Sequence, residues 1–369
     1  MLPIDLPLEL SPPGVPLQTP TPPLDLQAAL SWQAPAGWTC IEALDAHTAG
    51  EPLRIILAGW PDLGPGTVLE RRRRAQAELE PLRRALMWEP RGHADMYGCV
   101  LLPPERPDSH FAVLFTHNEG YSSMCGHGIV AVVTAAFQTG LLPRAVATVR
   151  IDSPAGLIEA EPVWSADASR VQAVRFRGVP SWVLCLDETL DVPGLGTVRY
   201  DLAYGGAFYA YVEAAPLGLP LRPERAGELI EAGRRIKQAG AAARSIEHPE
   251  HADLGFLYGT IFTGPAEAAD AHSRQVCIFA DGELDRSPTG TGVCGRAALL
   301  HARGGLAAGQ EVAIESILGT RFTVQAGPEL RHHGRAALQP LVQGSAFLTG
   351  RQRFFIDPAD PLGAGFLLR

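Results

Sequence analysis

Two stretches of this chain repeat one device, and the repeat limits the folds open to it. Met124-Cys125-Gly126-His127-Gly128 leads into the almost wholly apolar run Ile129-Val130-Ala131-Val132-Val133-Thr134-Ala135-Ala136-Phe137. Asp285-Arg286-Ser287-Pro288-Thr289-Gly290-Thr291-Gly292 leads into Val293-Cys294-Gly295-Arg296-Ala297-Ala298-Leu299-Leu300. Aligned on the glycines, Cys125-Gly126-His127-Gly128 matches Thr289-Gly290-Thr291-Gly292. Each is X-Gly-X-Gly at the start of an apolar helix. A helix that is apolar all round is buried all round, so each copy needs its own wrapping of other elements.

Such helix starts suit an anion. The glycines let the backbone come close to a ligand. First-turn N–H groups have no intrahelical partner, and the positive end of the helix dipole favours a carboxylate or a thiolate. Cys125 is therefore expected to have a lowered pKa and to be a good base or nucleophile. The plainer reading, a buried structural thiol, is weakened by its glycine-flanked position. Residues two apart at a helix start do not normally face each other. His127 is thus expected to be poorly placed to deprotonate Cys125, leaving the dipole and backbone donors as activators. The first helix should close at Gly140, with Pro143 beyond. Cys294 lies five residues past Thr289, rotated by about 140° on a helix, and is expected in the core. The position that holds a thiol in the first copy holds a hydroxyl in the second.

The rest of the chain reads mostly as strands. Residues 38–58 are strand-like, broken by a turn over 45–52 that holds His47 and Glu51. A helix is predicted over 67–86 with a break at Pro81. Its arginines 71–74 are balanced by Glu70, Glu78 and Glu80, which reads as a solvated face. A polar loop over 89–98 follows. Strand signals recur at 99–102, 111–115, 147–151, 156–160, 171–177, 182–185, 259–262, 275–280 and across 311–355. The aromatic segment 200–212, around Gly205-Gly206, fits a pocket wall or a core equally well. A charged helix covers 223–239. Mostly strand, with two apolar helices in corresponding places, this is an α/β (α+β) chain of two similar halves. It is not the regular alternation of a doubly wound sheet. Gly290-x-Gly292-x-x-Gly295 formally matches the dinucleotide fingerprint. That motif needs a tight strand-to-helix turn, and here the polar loop 281–288 intervenes.

Composition narrows the function. The 369 residues suffice for two domains and can bury a large core without disulfide or metal staples. A formal net charge of −9 argues against a nucleic-acid partner. Lys237 is the only lysine, which makes Schiff-base chemistry an unpromising reading. Six cysteines stand singly at 40, 99, 125, 185, 277 and 294, with no C-x-x-C pair. Neither a signal peptide nor an apolar run of about 18 residues is visible. The expectation is a cytoplasmic protein with no membrane partner. Residues 1–36, with Pro12-Pro13, Pro20 and Pro22-Pro23, read as a proline-rich extension.

The two glycine-flanked motifs together resemble the proline racemase family. Further matches are 45–52, 89–98 and 117–125, and the resemblance runs from about Trp38 onwards. It implies a diaminopimelate epimerase-like fold: two pseudo-symmetric halves, each a β-barrel-like sheet around a central apolar helix, with the ligand between them. The implied division is 37–192 plus 343–369, carrying Cys125, and 193–342, carrying Thr289. The resemblance also implies no cofactor, no metal and a homodimer. Position by position, it makes Cys125 the acid/base, with Gly126, His127, Gly290 and Thr291 binding substrate. Asp285 contacts the ring amine, and Thr289 takes the second catalytic position.

Racemases and hydroxyproline epimerases of the family carry cysteine at both helix starts. Threonine at 289 resembles instead the trans-3-hydroxy-L-proline dehydratase branch. The implied reaction gives Δ1-pyrroline-2-carboxylate and water, Cys125 abstracting the Cα proton of a small imino acid. A proline racemase or 4-hydroxyproline 2-epimerase is the alternative within the family. A non-catalytic imino-acid binder reusing the same cleft is the alternative outside it.

Overall fold

The computed structural model describes residues 24–368. The prolines at 12, 13, 20, 22 and 23 lie outside the described residues. The chain divides into a first unit ending at Ala36 and a second beginning at Gly37. In the first, the described part holds one short helix, α1 (Leu26–Ser31), with no buried residue. Asp25 caps it by accepting the Ala28 N–H at 2.9 Å. That cap turns this part of the proline-rich extension helical.

The second unit opens with β1 (Thr39–Thr48) and β2 (Glu51–Ala58), an antiparallel hairpin. The turn is shorter than the sequence suggests. Ala49 and Gly50 both adopt positive φ, 54° and 98°, and reverse the chain in two residues. His47 and Glu51 therefore belong to strands. Next come α2 (Val68–Glu78) and α3 (Glu80–Met87), with Pro81 in the first turn of α3, where its missing N–H costs nothing. The predicted break falls there.

One sequence of strand pairings then occurs twice. In the first round, β2 lies parallel to β3 (Tyr97–Leu102), and β3 is antiparallel to β4 (Phe111–His117). After β4 comes α4 (Gly126–Gln138). The chain returns as β5 (Val149–Ser153), parallel to β4, and continues antiparallel through β6 (Gly156–Trp164) and β7 (Val171–Arg177). The second round is led in by β8 (Trp182–Val192) and β9 (Gly196–Tyr204), antiparallel to each other, and β9 is antiparallel to β10 (Phe208–Glu213). After β10 comes α5 (Ala226–Ala243). Then β10 lies parallel to β11 (Leu257–Gly264), and β11 is antiparallel to β12 (Ser273–Phe279). Past the short β13 (Glu283–Leu284) comes α6 (Gly290–Ala302). The chain returns as β14 (Glu311–Glu315), parallel to β12, then antiparallel β15 (Arg321–Gln325). A separate hairpin, β16 (Glu329–His332) and β17 (Arg335–Leu338), precedes β18 (Leu341–Gly344). β18 bonds to β15 on one edge and to β7 on the other, which joins the two rounds. Last, β19 (Ala346–Ile356) runs back antiparallel to β1.

The two apolar helices sit inside these wrappings. In α4 every residue from Gly126 to Phe137 is buried. In α6 only Arg296 interrupts burial between Gly290 and Leu300. Fully burying each large aliphatic side chain contributes about 1.5–3 kcal/mol. Cys294 is fully buried, as its position on the helix predicts. The second round is also pinned by a buried ion pair, Arg274 to Glu315 at 3.0 Å. Glu315 accepts the Glu267 and Ala268 N–H groups as well, each at 2.9 Å.

Candidate active site

Cys125 is the N-cap of α4, with extended φ and ψ of −142° and 110°. It precedes the helix, so its side chain folds back over the first turn. Sγ accepts the Gly128 N–H at 3.2 Å and lies 3.1 Å from His127 Nδ1. This corrects the expectation that the two side chains would diverge. The helical i, i+2 rule does not apply when the first residue is not helical. The His127 carbonyl accepts from Thr48 Oγ1 at 2.8 Å, which fixes the turn.

The electrostatics correct a second expectation. Burial pushes the Cys125 thiol well above its ordinary value; the Gly128 N–H opposes it, and Asp285 adds to it. Burial also lowers the His127 imidazole, with Asp285 offsetting part of the shift. Both changes favour a neutral thiol beside a neutral imidazole. The helix-start donor lowers the thiol pKa, but here desolvation outweighs it.

Thr289 is the matching N-cap of α6. Its φ of 64° is unusual for a β-branched residue, and it makes no capping hydrogen bond. Its Oγ1 is buried with no nitrogen or oxygen partner and lies beside the Cys277 thiol. Such a backbone costs on the order of 1–3 kcal/mol and persists only where its surroundings over-determine it. Two linked turns do so. Asp285 accepts the Ser287 N–H at 2.8 Å, and Ser287 Oγ accepts the Thr289 N–H at 3.0 Å.

Between the two helix starts lies a tight cavity of about 20 Å³, room for about one water molecule. All seven residues singled out in the sequence line it: Cys125, Gly126 and His127 on one side; Asp285, Thr289, Gly290 and Thr291 on the other. The Thr291 hydroxyl is already engaged by Tyr209 Oη at 2.7 Å. Two sets of first-turn N–H groups and one carboxyl, Asp285, thus meet beside one thiol. This set suits a small zwitterion: donors for a carboxylate, and a carboxyl for an ammonium.

The cavity walls were only partly foreseen. Tyr97, Tyr209, Tyr258 and Phe279 line it. Tyr209 lies in the aromatic segment and Tyr97 in the polar loop, but Tyr258 precedes its predicted strand and carried no signal. Two buried acids also stand near. His117 Nδ1 lies 3.0 Å from Glu283 Oε1, joining β4 to β13. Glu51 is fully buried, with one oxygen accepting the Arg286 N–H at 2.6 Å and the other without a partner. Burial, then Asp285, raises its carboxyl well above the ordinary range.

The proline racemase model matches residues 43–367. A Colwellia psychrerythraea protein named trans-3-hydroxy-L-proline dehydratase is 49% identical over 331 residues, covering 89% of this chain and 93% of its own. A Burkholderia multivorans protein named 3-hydroxyproline 2-epimerase is 44% identical over 331 residues, covering 89% and 98%. The crystal structure of a hydroxyproline epimerase from Agrobacterium vitis, with bound trans-4-OH-L-proline, superposes with a TM-score of 0.84. It is 30% identical, covering 90% of this chain and 96% of that one.

Proposed function

The chain belongs to the proline racemase family, and on that premise we propose that it is a trans-3-hydroxy-L-proline dehydratase, a hydro-lyase. The products are Δ1-pyrroline-2-carboxylate and water. One observation carries the reading: of the two helix starts that line the cavity, one presents a thiol, Cys125, and the other a hydroxyl, Thr289. Removing a proton from one face of Cα and returning one to the other takes two bases. Elimination takes one.

In this proposal the substrate carboxylate rests on the first-turn N–H groups around Gly126, His127, Gly290 and Thr291. Asp285 holds the ring ammonium. That positive charge, brought into a buried site, favours the thiolate form of Cys125, with His127 as the nearby acceptor of its proton. The thiolate takes the Cα proton, and charge builds on the substrate carboxylate. The same N–H donors then stabilise the transition state more than the ground state. In trans-3-hydroxy-L-proline the Cα hydrogen and the 3-hydroxyl share a ring face. The Cβ–O bond breaks as the Cα–Cβ double bond forms, and the departing hydroxide takes the proton back from Cys125 as water. The enamine left behind tautomerises to the Δ1 imine. Thr289 is a neutral hydrogen-bonding group at the second catalytic position.

The reading brings with it the family's cofactor-free chemistry, a homodimer and a cytoplasmic location. It also takes 37–192 plus 343–369 and 193–342 as the two halves, with β8 of the first range pairing with β9 of the second. No helix among the described residues is long and apolar enough to cross a membrane.

The test is incubation with trans-3-hydroxy-L-proline and detection of Δ1-pyrroline-2-carboxylate through a coupled imine reductase. Product formation is the expected result. Absence of product together with inversion at Cα of 3- or 4-hydroxyproline would sink the proposal. That outcome would favour the epimerase reading, which the Burkholderia multivorans relative's name supports.

A further inference from the structure

Four of the chain's 11 histidines converge at one place outside the cleft. His332 ends β16, and His333 with Gly334 forms the turn into β17, both with positive φ, 48° and 78°. The 332 and 333 rings are 4.4 Å apart and nearly perpendicular, at 85°. From a distant segment, Glu250 Oε1 comes to 2.9 Å from His333 Nε2. One ligand-capable atom from each of Glu250, His332 and His333 lies within 4.8 Å of the others. Two further imidazoles, His248 and His251, flank Glu250 and stack at 5.9 Å.

The group is backed by a rigid floor. His332 lies 5.2 Å from the ring of Trp182, which is 1% exposed. His248 packs on Trp182 at 5.9 Å and on Tyr204 at 5.1 Å. His248 Nδ1 accepts the Glu250 and His251 N–H groups, each at 3.2 Å, which holds the segment carrying Glu250 in a turn. Ligands held on packed supports bind a metal more tightly than ligands on free loops.

We propose that Glu250, His332 and His333 form a binding site for a divalent d-block cation of the zinc class. Two imidazoles and one carboxylate are a recurrent zinc set, with remaining positions left to water, and imidazole donors favour zinc, copper or nickel over magnesium or calcium. The ligands would need only to rotate toward a common point about 2.0–2.2 Å from each. The site shares no residue with the cavity between α4 and α6. It clamps two chain segments together: the β16–β17 hairpin, and the turn that leads through Asp253 to Tyr258. Asp253 pairs with Arg73 of α2 at 2.9 Å, and Tyr258 walls the cavity.

The test uses the full chain, without a histidine tag, stripped by chelator and titrated with ZnCl2 in a calorimeter. One zinc per chain is expected, lost in His332→Ala/His333→Ala. Even outer-shell partners of metal ligands are worth about 10–100-fold in affinity, so Glu250→Gln is expected to weaken binding by at least about 100-fold. Cobalt substitution separates this site from the six thiols. Visible d–d bands without a thiolate charge-transfer band support the proposal. A thiolate band, or zinc binding that survives the double substitution, overturns it, as does no binding to the unsubstituted chain. Melting each variant without metal shows whether it folds, and zinc is expected to raise the melting temperature of the unsubstituted chain alone. Should the double variant fail to fold, the cobalt spectrum of the unsubstituted chain decides.

Discussion

Gly126 and Gly290 touch across the cleft: a Cβ on Gly126 would lie 2.4 Å from the Gly290 Cα, and one on Gly290 would lie 2.3 Å from the Gly126 Cα. Both clashes are with backbone, which cannot swing aside. The two helix starts are as close as two chains can come, and the distance between the groups they carry is set by this contact.

Gly290→Ala is therefore expected to push the two helix starts apart. Overpacking of this kind costs about 1–3 kcal/mol. A displacement near 1 Å costs about a hundredfold in rate. Thermal melting and the dehydration assay measure the two effects separately. An unchanged rate would mean that the contact does not set the catalytic distance.

Cys125→Ser should lower turnover by about 10²–10⁴-fold, the usual worth of a positioned acid or base, with the melting temperature little changed. The raised thiol pKa makes a second expectation. The thiolate fraction of the empty site is small at neutral pH and grows tenfold per pH unit. Alkylation of Cys125 should rise with that slope and show no plateau at about pH 8.5, where an unperturbed thiol is half ionised. A plateau near neutrality would show that the thiol is activated before substrate arrives.

Thr289→Cys restores a thiol to the second helix start and, with it, a base on the other face of Cα. The variant is expected to exchange the Cα hydrogen of 4-hydroxyproline with deuterated solvent and to invert it, both followed by NMR. Inversion absent in the variant, with dehydration intact, would show that the second position lacks access to Cα.

Glu315→Gln removes the buried one of Arg274's two carboxylate partners, Glu267 being the other, and breaking a buried pair costs up to about 3–5 kcal/mol. Burial alone would raise the Glu315 carboxyl, but the Glu267 and Ala268 N–H groups and Arg274 outweigh it and hold it below its ordinary value. A depressed folded pKa adds stability above the unfolded value and loses it as the pH falls through the folded one. The melting temperatures of the variant and the parent chain should therefore converge in acid. A gap that stays constant into acid would mean that the carboxylate charge is not what stabilises.

The two apolar helices and most strands were legible because their signals are local. An all-apolar run means a buried helix wherever it sits, and Pro81 breaks a helix by its own chemistry. The matched motifs at 125–128 and 289–292 also revealed which groups meet in the cavity. What stayed hidden is non-local or conformational. The Cys125–His127 contact depends on Cys125 being extended, which nothing in Cys-Gly-His-Gly specifies. The thiol pKa depends on burial, opposed by a hydrogen bond from the Tyr97 hydroxyl, and on the charges of Asp285 and Glu51, groups far from Cys125 in sequence. The positive φ of Thr289 runs against the preference of a β-branched residue, and only the Asp285–Ser287–Thr289 relay accounts for it. The His117–Glu283 pair joins residues 166 positions apart.

The pairing of β19 with β1 has a consequence for biosynthesis. The strand that closes the first wrapping of α4 begins at Ala346, so it is made long after Cys125. The groups that face Cys125 across the cavity, at 285–291, are also made after it. A growing chain on the ribosome thus carries an unshielded thiol until these later residues have been made, with an ordinary pKa and ordinary reactivity. The desolvation that keeps Cys125 protonated also protects it from oxidants, and that protection starts only when residue 356 is free to fold back.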